Sequence, residues 1–509
     1  MWWTLQHFLL SSFALLCGLL GVLYYFGTLT YDYWNKKGVP YIKPKFPFLG
    51  TIAKAVFCLK TAMDQQQEIY NYFKGQRYGG IFSFKTPVLF IKDPELIESV
   101  LIKDFTSFYN RGIKVDLKLD PLSGHLVNLV DMQWKSLRQK ITPAFTSGKL
   151  KGMHQQLVQC SQELVKHINN FVEKSEPIEA REVMAKFSTD VICACAFGLN
   201  SNTLNDPDSV FRKMGRKIFQ PSFASRLRLT IRRQCPAILN LLRWRRRSET
   251  MQRFFKSMIN STMEFRENNN MIRNDFLQIL MELKKQRNRL AENEEHMKID
   301  DNIIMSNALI FFAAGFETTA STLSYSLYEL SLHQDIQEQT YQHIVSVLKN
   351  HGGEITYNAV KEMTFLQQIF QETLRMYPPL EELRRIVTSN YVLPGTTLML
   401  PKGSSVIIPV YSLHYDPEYF PEPEKFKPER FITEKGNIRH GTYLPFGDGP
   451  RICVGKRFAE KEMLIAMIKL LLNYKFTLNS KTQVPFVYNP RAFFLTPFGG
   501  IWLDVHRRI

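Results

Sequence analysis

The chain has 509 residues, 45% of them hydrophobic, and a formal net charge of +18. That is ample material for a large core, and no Gly/Ser-rich or Pro-rich linker after residue 50 suggests loosely strung small domains. Seven cysteines without paired spacing or a CxxC argue against a complete disulfide framework and fit reducing surroundings, while the charge predicts attraction to anionic surfaces of some kind.

Residues 1–31 contain no Asp, Glu, Lys or Arg and are dominated by Leu, Phe, Tyr, Trp and Gly, long enough to cross a bilayer as a helix. Trp2 and Trp3 bracket one end and Tyr31, Tyr33 and Trp34 the other, as interfacial aromatics do. A signal peptide would want a basic start and a shorter apolar run. Lys36, Lys37, Lys43 and Lys45 follow, which puts the rest of the chain on the cytosolic side. Residues 32–50 then read as a basic, proline-rich linker, with Pro40, Pro44, Pro47 and Gly50 making 38–50 a stiff extended tether. The body is residues 51–509.

Tyr78 to Ile91 carries β-branched and aromatic residues between turn signals and predicts a short hairpin. Phe105 to Leu129 predicts a long loop with one helical turn, a kind of segment that usually serves function. Trp134 and Arg138 share a helix face, which alone is no more than an amphipathic surface helix. Residues 211–247 hold twelve Lys or Arg and no Asp or Glu, interleaved with Leu, Ile, Phe and Trp244. Charge alone would admit nucleic acid, but no stacking-aromatic array or nucleic-acid module accompanies it, so an interfacial segment beside anionic lipid fits better.

A long helix is predicted from an N-cap near Asp301 to about Leu332, and it contains Ala313-Ala314-Gly315-Phe316-Glu317-Thr318-Thr319. As packing, Ala-Ala-Gly is a close helix crossing. Yet Gly315 costs helix stability, and Glu317 is costly to bury unpaired. Chemistry gives both costs a use: a gap at Gly315 leaves room over a flat cofactor, and Glu317 and Thr318 can relay protons. Glu372 and Arg375 lie one turn apart on a helix from Phe365 to Met376, close enough to pair. His414 sits in a β-rich run from Ser405, without neighbours at zinc-ligand spacing. Residues 473–509 predict a terminal β-hairpin with Phe493, Phe494 and Leu495 as pocket candidates.

Phe446-Gly447-Asp448-Gly449-Pro450-Arg451-Ile452-Cys453-Val454-Gly455 reads as a rigid loop delivering Cys453 to the N-terminus of a helix over Lys456–Leu472. Unpaired N–H groups and the helix dipole stabilise a thiolate there, and Arg451 adds a cation for an anionic partner. A lone cysteine in a glycine loop could equally be a buried turn residue.

The order Phe-Gly-x-Gly-x-Arg-x-Cys-x-Gly resembles the haem-binding loop of the cytochrome P450 superfamily, the haem-thiolate monooxygenases. The other motifs extend the resemblance from about residue 34 to the C-terminus. It implies a mostly α, α+β fold with small β-sheets and one N-terminal transmembrane helix. Cys453 would be the axial ligand to the iron of haem b, with Phe446 on the sulfur side. Trp134, Arg138, Arg385 and His414 would meet the haem propionates, Arg384 competing with Arg385 for that role. Gly315, Glu317 and Thr318 would line the distal side, the acid and hydroxyl serving dioxygen activation. Glu372, Arg375 and Arg430 of Pro428-Glu429-Arg430-Phe431 would form the family's structural triad. Glu381 and Glu382 depart from the family's apolar sequence at that place.

The implied reaction inserts one atom of dioxygen into a lipophilic small molecule while the other leaves as water. No dinucleotide or flavin fingerprint occurs, so electrons would come from NADPH through a partner FAD/FMN reductase, the NADPH–cytochrome P450 reductase, with cytochrome b5 a second donor. Trp134, Lys135, Arg138, Lys140, Lys149, Lys456 and Lys461 would build its docking face. Ala-Gly-Phe-Glu-Thr-Thr and Leu-Arg-Met-Tyr-Pro-Pro resemble microsomal members, in character the insect xenobiotic oxidisers. The expected place is the endoplasmic reticulum membrane, with a cytosolic catalytic domain, anionic membrane lipid as a partner and no nucleic acid. Three alternatives stand beside this: oxidation of endogenous fatty acids, steroids or hormones; an electron-independent isomerase or dehydratase, disfavoured by keeping Glu317 and Thr318; and a non-enzymatic membrane haem binder.

Overall fold

The computed structural model describes residues 2–113, 117, 120–219, 249–289, 300–432 and 438–508. They form two compact units, residues 1–112 with 381–413 and residues 113–380 with 414–509.

In the first unit the helix Trp2–Thr28 presents an apolar surface whose most hydrophobic stretch is wholly unburied, the property expected of a candidate membrane span. The linker after it is not an extended tether. It turns at Phe48 and Gly50, both in the left-handed region (φ 63° and 68°), and folds back on the end of that helix. Phe48 N–H donates to Gly27 O over 3.2 Å, Tyr31 Oη donates to Phe46 O over 3.1 Å, and Gly50 N–H donates to Tyr31 Oη over 3.0 Å. Beyond it lies a four-stranded sheet in the order Tyr78–Ser83, Thr86–Ile91, Ser405–Ile408, Leu383–Ile386. The first two strands form the expected hairpin, antiparallel with Tyr78 opposite Ile91. Thr86–Ile91 runs parallel to Ser405–Ile408, and Leu383–Ile386 antiparallel to it. Leu89 and Phe90, on opposite faces, are both fully buried, as in a sheet covered on two sides.

The second unit is helical. Its spine is the helix Asp301–Leu332, apolar on nearly every face and buried along most of its length, as an all-round hydrophobic helix must be. Its N-cap is Asp300 rather than Asp301: the Asp300 carboxylate accepts from Ile303 N–H over 2.8 Å. The spine crosses the helix Ala180–Ile192, which continues into a π-helical turn over Cys193–Phe197 and stops at Gly198 in the left-handed region. The helix Lys456–Asn473 follows the cysteine loop, and Thr364–Met376 carries Glu372 and Arg375. A three-stranded antiparallel sheet, Ile178–Glu179, Trp502–Arg507 and Tyr474–Leu478, contains the predicted terminal hairpin. Among the described residues of the Phe105–Leu129 loop, one helical turn, Phe105–Ser107, belongs to the first unit and another, Pro121–Ser123, to the second. Most of the 211–247 segment, with Trp244 and Arg243, Arg245, Arg246 and Arg247, lies outside the described residues. The part described, on the helix Val210–Phe219, places Arg212 and the exposed Arg216 each 2.8 Å from Glu182, with Lys213 and Lys217 also exposed.

Candidate active site

The cysteine loop closes on itself. Gly447 and Gly449 adopt φ of 70° and 68°, which a side chain would strain. The Cys453 N–H then donates to Phe446 O over 2.9 Å, leaving the thiol exposed just ahead of the Lys456–Asn473 helix, whose N-cap is Gly455. Arg451 is buried, with its guanidinium 4.0 Å from the Trp134 ring centroid and donating to Leu126 O and to Leu129 O (2.8 Å). Arg451 and Trp134 thus brace each other beneath the loop. Arg138, one turn beyond Trp134, is half-buried. Burial pushes its guanidinium pKa down, and the Cys453 thiol charge pulls it partly back up. No carboxylate among the described residues pairs with Arg138.

The spine helix opens at one place. Ala314 is the one exposed residue between Ile303 and Ser331, and Thr318, four residues on and hence on the same face, is half-exposed. Thr318 Oγ1 donates to Ala314 O over 2.8 Å. Gly315 does not belong to this opening: a Cβ there would fall 2.6 Å from Ile192 Cδ1, so its missing side chain serves the crossing with Ala180–Ile192. The reading of Gly315 as room over a cofactor is corrected, and Ala314 is the small residue on the open face. Glu317 and Thr318 also point apart, by about 100° around the helix. Glu317 Oε1 accepts from Arg181 Nη2 over 2.9 Å, both side chains being mostly buried, and Arg181 Nη1 reaches Leu495 O. Sequence reasoning missed Arg181, since nothing local marks an arginine that pairs 136 residues away. Along the same helix runs an aromatic cluster: Phe316 with Phe219 (ring centroids 5.6 Å apart) and Phe312 (5.4 Å), and Phe219 with Phe494 (5.0 Å) and Phe493 (6.0 Å).

The structure brings Glu372, Arg375 and Arg430 together. Glu372 and Arg375 are fully buried, with Arg375 Nε 2.8 Å and Nη2 2.9 Å from the two carboxylate oxygens. Arg430 Nε lies 3.1 Å from Glu372 Oε1, and Lys427 N–H donates to the same oxygen over 3.0 Å. Arg375 adds donations to His414 O and Pro423 O.

His414 lies at the end of a short helix, Val410–His414, not in a strand. It is fully buried, which drives its pKa down to about 3, so it is neutral. Its Nδ1 is 3.0 Å from Arg375 O, which can only accept, so Nδ1 carries the proton and Nε2 accepts from Leu444 N–H at 2.9 Å. No proton remains for a propionate. That role is corrected: His414 ties the Glu372–Arg375 helix to the chain leading into the cysteine loop.

In the first unit, Arg384 is ion-paired with Glu382, whose other oxygen accepts from Gln66. Arg385 is buried; its Nη1 donates to Arg384 O over 2.9 Å, its Nε has no partner among the described residues, and burial, then the Arg111 charge, lower its pKa to about 9. Of the two arginines, only Arg384 has a carboxylate partner among the described residues. Glu381, beside Glu382, is pushed up to about 7 by burial and then by its acidic neighbour. Among the docking residues, Lys135 and Lys140 are exposed. Lys149 is 2.7 Å from Asn274, and Lys456 lies over the Phe446 ring. Lys461 is buried with its ammonium 3.3 Å from the Tyr357 ring centroid, and burial followed by Lys361 lowers its pKa to about 8. It is withdrawn from any docking face.

These features fit a flat, anionic metal cofactor: an exposed thiol, an arginine beside it without a carboxylate, and an open face on the core helix. The family model for cytochrome P450 matches residues 41–503. The chain belongs to the cytochrome P450 family. It is 40% identical over 93% of its length to "Probable cytochrome P450 6a13" of Drosophila melanogaster, covering 94% of that protein. Cytochrome P450 6a2 of the same fly is 38% identical over 97% of this chain and 99% of its own. Cytochrome P450 6j1 of Blattella germanica is 36% identical over 95% of each. The protein is therefore an oxidoreductase, a cytochrome P450 monooxygenase, mostly helical with small sheets. Membership implies haem, dioxygen, a substrate and a redox partner.

Proposed function

We propose that this P450 oxidises lipophilic foreign compounds at the endoplasmic reticulum membrane, with electrons delivered from NADPH by a flavoprotein reductase. The observation that carries the substrate class is the aromatic cluster Phe219, Phe312, Phe316 and Phe494 along the helix that opens at Ala314 and Thr318. Phe312 and Phe316 are themselves fully buried, so a substrate would meet the cluster through Phe219 and Phe493, rings that favour apolar, ring-bearing molecules over charged ones.

In this reading haem held by the Cys453 thiolate supplies the activation of dioxygen and the oxygen transfer. The chain's own groups do the rest. The glycine-bounded loop holds Cys453 open, and Arg451 on Trp134 keeps the loop rigid and positively biased. Arg138 and Arg385 are proposed as partners of the cofactor's carboxylates, neither having a carboxylate partner among the described residues. Thr318 holds a proton on the open face of the helix, with Ala314 O as its resting acceptor. Glu317, fixed by Arg181 at 2.9 Å, is proposed as the proton-relaying carboxyl on the adjoining face of the helix. Glu372, Arg375 and Arg430 keep the fold around the loop. Lys135 and Lys140 remain as exposed cations for an acidic donor.

The test is product formation from apolar plant toxins, insecticides, fatty acids and steroids with NADPH and purified reductase. Oxygenated products from the foreign compounds, at rates well above those from fatty acids and steroids, are expected. Faster turnover of the endogenous lipids would overturn the substrate class. Turnover without reductase, or rearranged products without NADPH, would overturn the electron route.

A further inference from the structure

In the first unit, Gln66 on the helix Ala62–Tyr72 meets Glu382, just ahead of the strand Leu383–Ile386. Partners are divided unevenly there. Glu382 has two, Arg384 on one carboxylate oxygen and Gln66 on the other. Glu381, one residue back, has no ion-pair partner among the described residues. It is partly buried, and its backbone is held in place where Tyr411 N–H donates to Glu381 O over 3.1 Å. The Arg384 charge relieves Glu381 less than burial and the Glu382 charge oppose it, which leaves its pKa at about 7. Gln66 is 7% exposed. A carboxylate accepts, so the amide end that faces Glu382 is Nε2, and Gln66 Oε1 is left buried with no partner among the described residues. A buried amide oxygen without a donor is uncommon in a native fold. Two acceptors beside Glu382 thus lack a donor.

We propose that Glu381 and Gln66 Oε1 recognise the protonated amine of a lipophilic ligand. The carboxylate answers the charge and the amide oxygen accepts the N–H. A carboxylic acid would be repelled by Glu381 and Glu382, and an apolar group would leave both acceptors unsatisfied. A metal ion is a poor occupant, since no three His, Cys, Asp or Glu side chains converge as ligands among the described residues. The site lies where the sequence departs from the family's apolar pattern, so the selectivity belongs to this chain. The amine is a polar handle on an otherwise apolar molecule. That the molecule is lipophilic rests on the function proposed above.

Holoenzyme is dialysed to equilibrium against dimethyl(phenylbutyl)amine and against its neutral isostere, with CH in place of the protonated nitrogen. A third probe, the trimethylammonium analogue, carries the charge without an N–H. The parent should bind the amine roughly tenfold or more tightly than the isostere. Glu381→Gln should erase that preference and leave haem content and isostere affinity unchanged. Gln66→Leu should weaken the amine severalfold and leave the trimethylammonium analogue unmoved, because only the amine donates to Oε1. No preference in the parent, or an equal loss of amine and isostere in Glu381→Gln, overturns the site. Should Glu381→Gln fail to fold, an amine affinity unmoved in Gln66→Leu overturns it alone. Oxygenation of the isostere with NADPH and reductase reads the proposed function separately. Product without an amine preference faults only the site, and an amine preference without product from any probe faults only that function.

Discussion

Arg181 and Glu317 meet at 2.9 Å, the guanidinium from the first turn of one helix and the carboxylate from the middle of the spine helix it crosses. The pair explains how an acid is tolerated in that helix: its charge is answered and its geometry fixed. It also separates the acid from Thr318. Arg181→Ala should leave Glu317 buried and unanswered, lowering product formed per NADPH with a rise in peroxide. Arg181→Lys should recover part of the coupling. Thr318→Ala should uncouple without loss of folded, haem-containing protein, since alanine is a strong helix former. Coupling equal to the parent in Arg181→Ala would show that the pair only cements the crossing.

Glu372 and Arg375 have no exposure at all, and Glu372 also answers Arg430 and the Lys427 N–H. Removing the carboxylate strands two guanidinium groups. Glu372→Ala is expected to cost roughly 3–5 kcal/mol and to leave little folded protein. Yield, haem content and thermal unfolding check this. Parent-like melting would mean that solvent reaches the arginines.

Glu462 gives a pH prediction. It is buried on the Lys456–Asn473 helix, neither carboxyl oxygen has a hydrogen bond of normal geometry, and nearby Ser188 gives only weak relief. Burial pushes its pKa from 4.5 up to about 8. The folded state thus holds a proton that the unfolded state releases between those values. Stability should fall as pH rises through this window, with a limiting slope of about 1.4 kcal/mol per pH unit, and level off above it. Glu462→Gln should remove that slope and be the more stable protein at pH 8. Denaturant unfolding from pH 5 to 8 measures it, and identical slopes for parent and variant would refute it.

Arg385 offers the sharper half of a comparison. Its buried Nε has no partner among the described residues, whereas Arg384 is already paired with Glu382. Arg385→Ala should accelerate haem transfer to an acceptor protein severalfold, and Arg384→Ala should not. The reverse order would reassign the propionate contact.

Local pattern made some elements legible and left others hidden. The hairpin over Tyr78–Ile91 and the long apolar helix ending at Leu332 announce themselves by composition and length, and the glycines of the cysteine loop by backbone need. What sequence spacing cannot carry is direction. Gly315 and Ala314 are neighbours, yet one faces Ile192 and the other the opening. His414 looked available because its two backbone partners, Arg375 O and Leu444 N–H, are 39 and 30 residues away. Lys461 looked like a surface cation until Tyr357 covered it. Each miss is a contact with a residue distant in sequence, which spacing along the chain does not reveal.

The proposed chemistry depends above all on Cys453 as the thiolate ligand of the haem. The most direct measurement is the carbon monoxide difference spectrum of the reduced protein, parent beside Cys453→His. The parent should give the long-wavelength Soret band of a thiolate-bound haem, and the variant, if it retains haem, the shorter-wavelength band of a histidine-type complex with oxygenation largely lost. An unchanged thiolate-type band in Cys453→His would contradict the assignment.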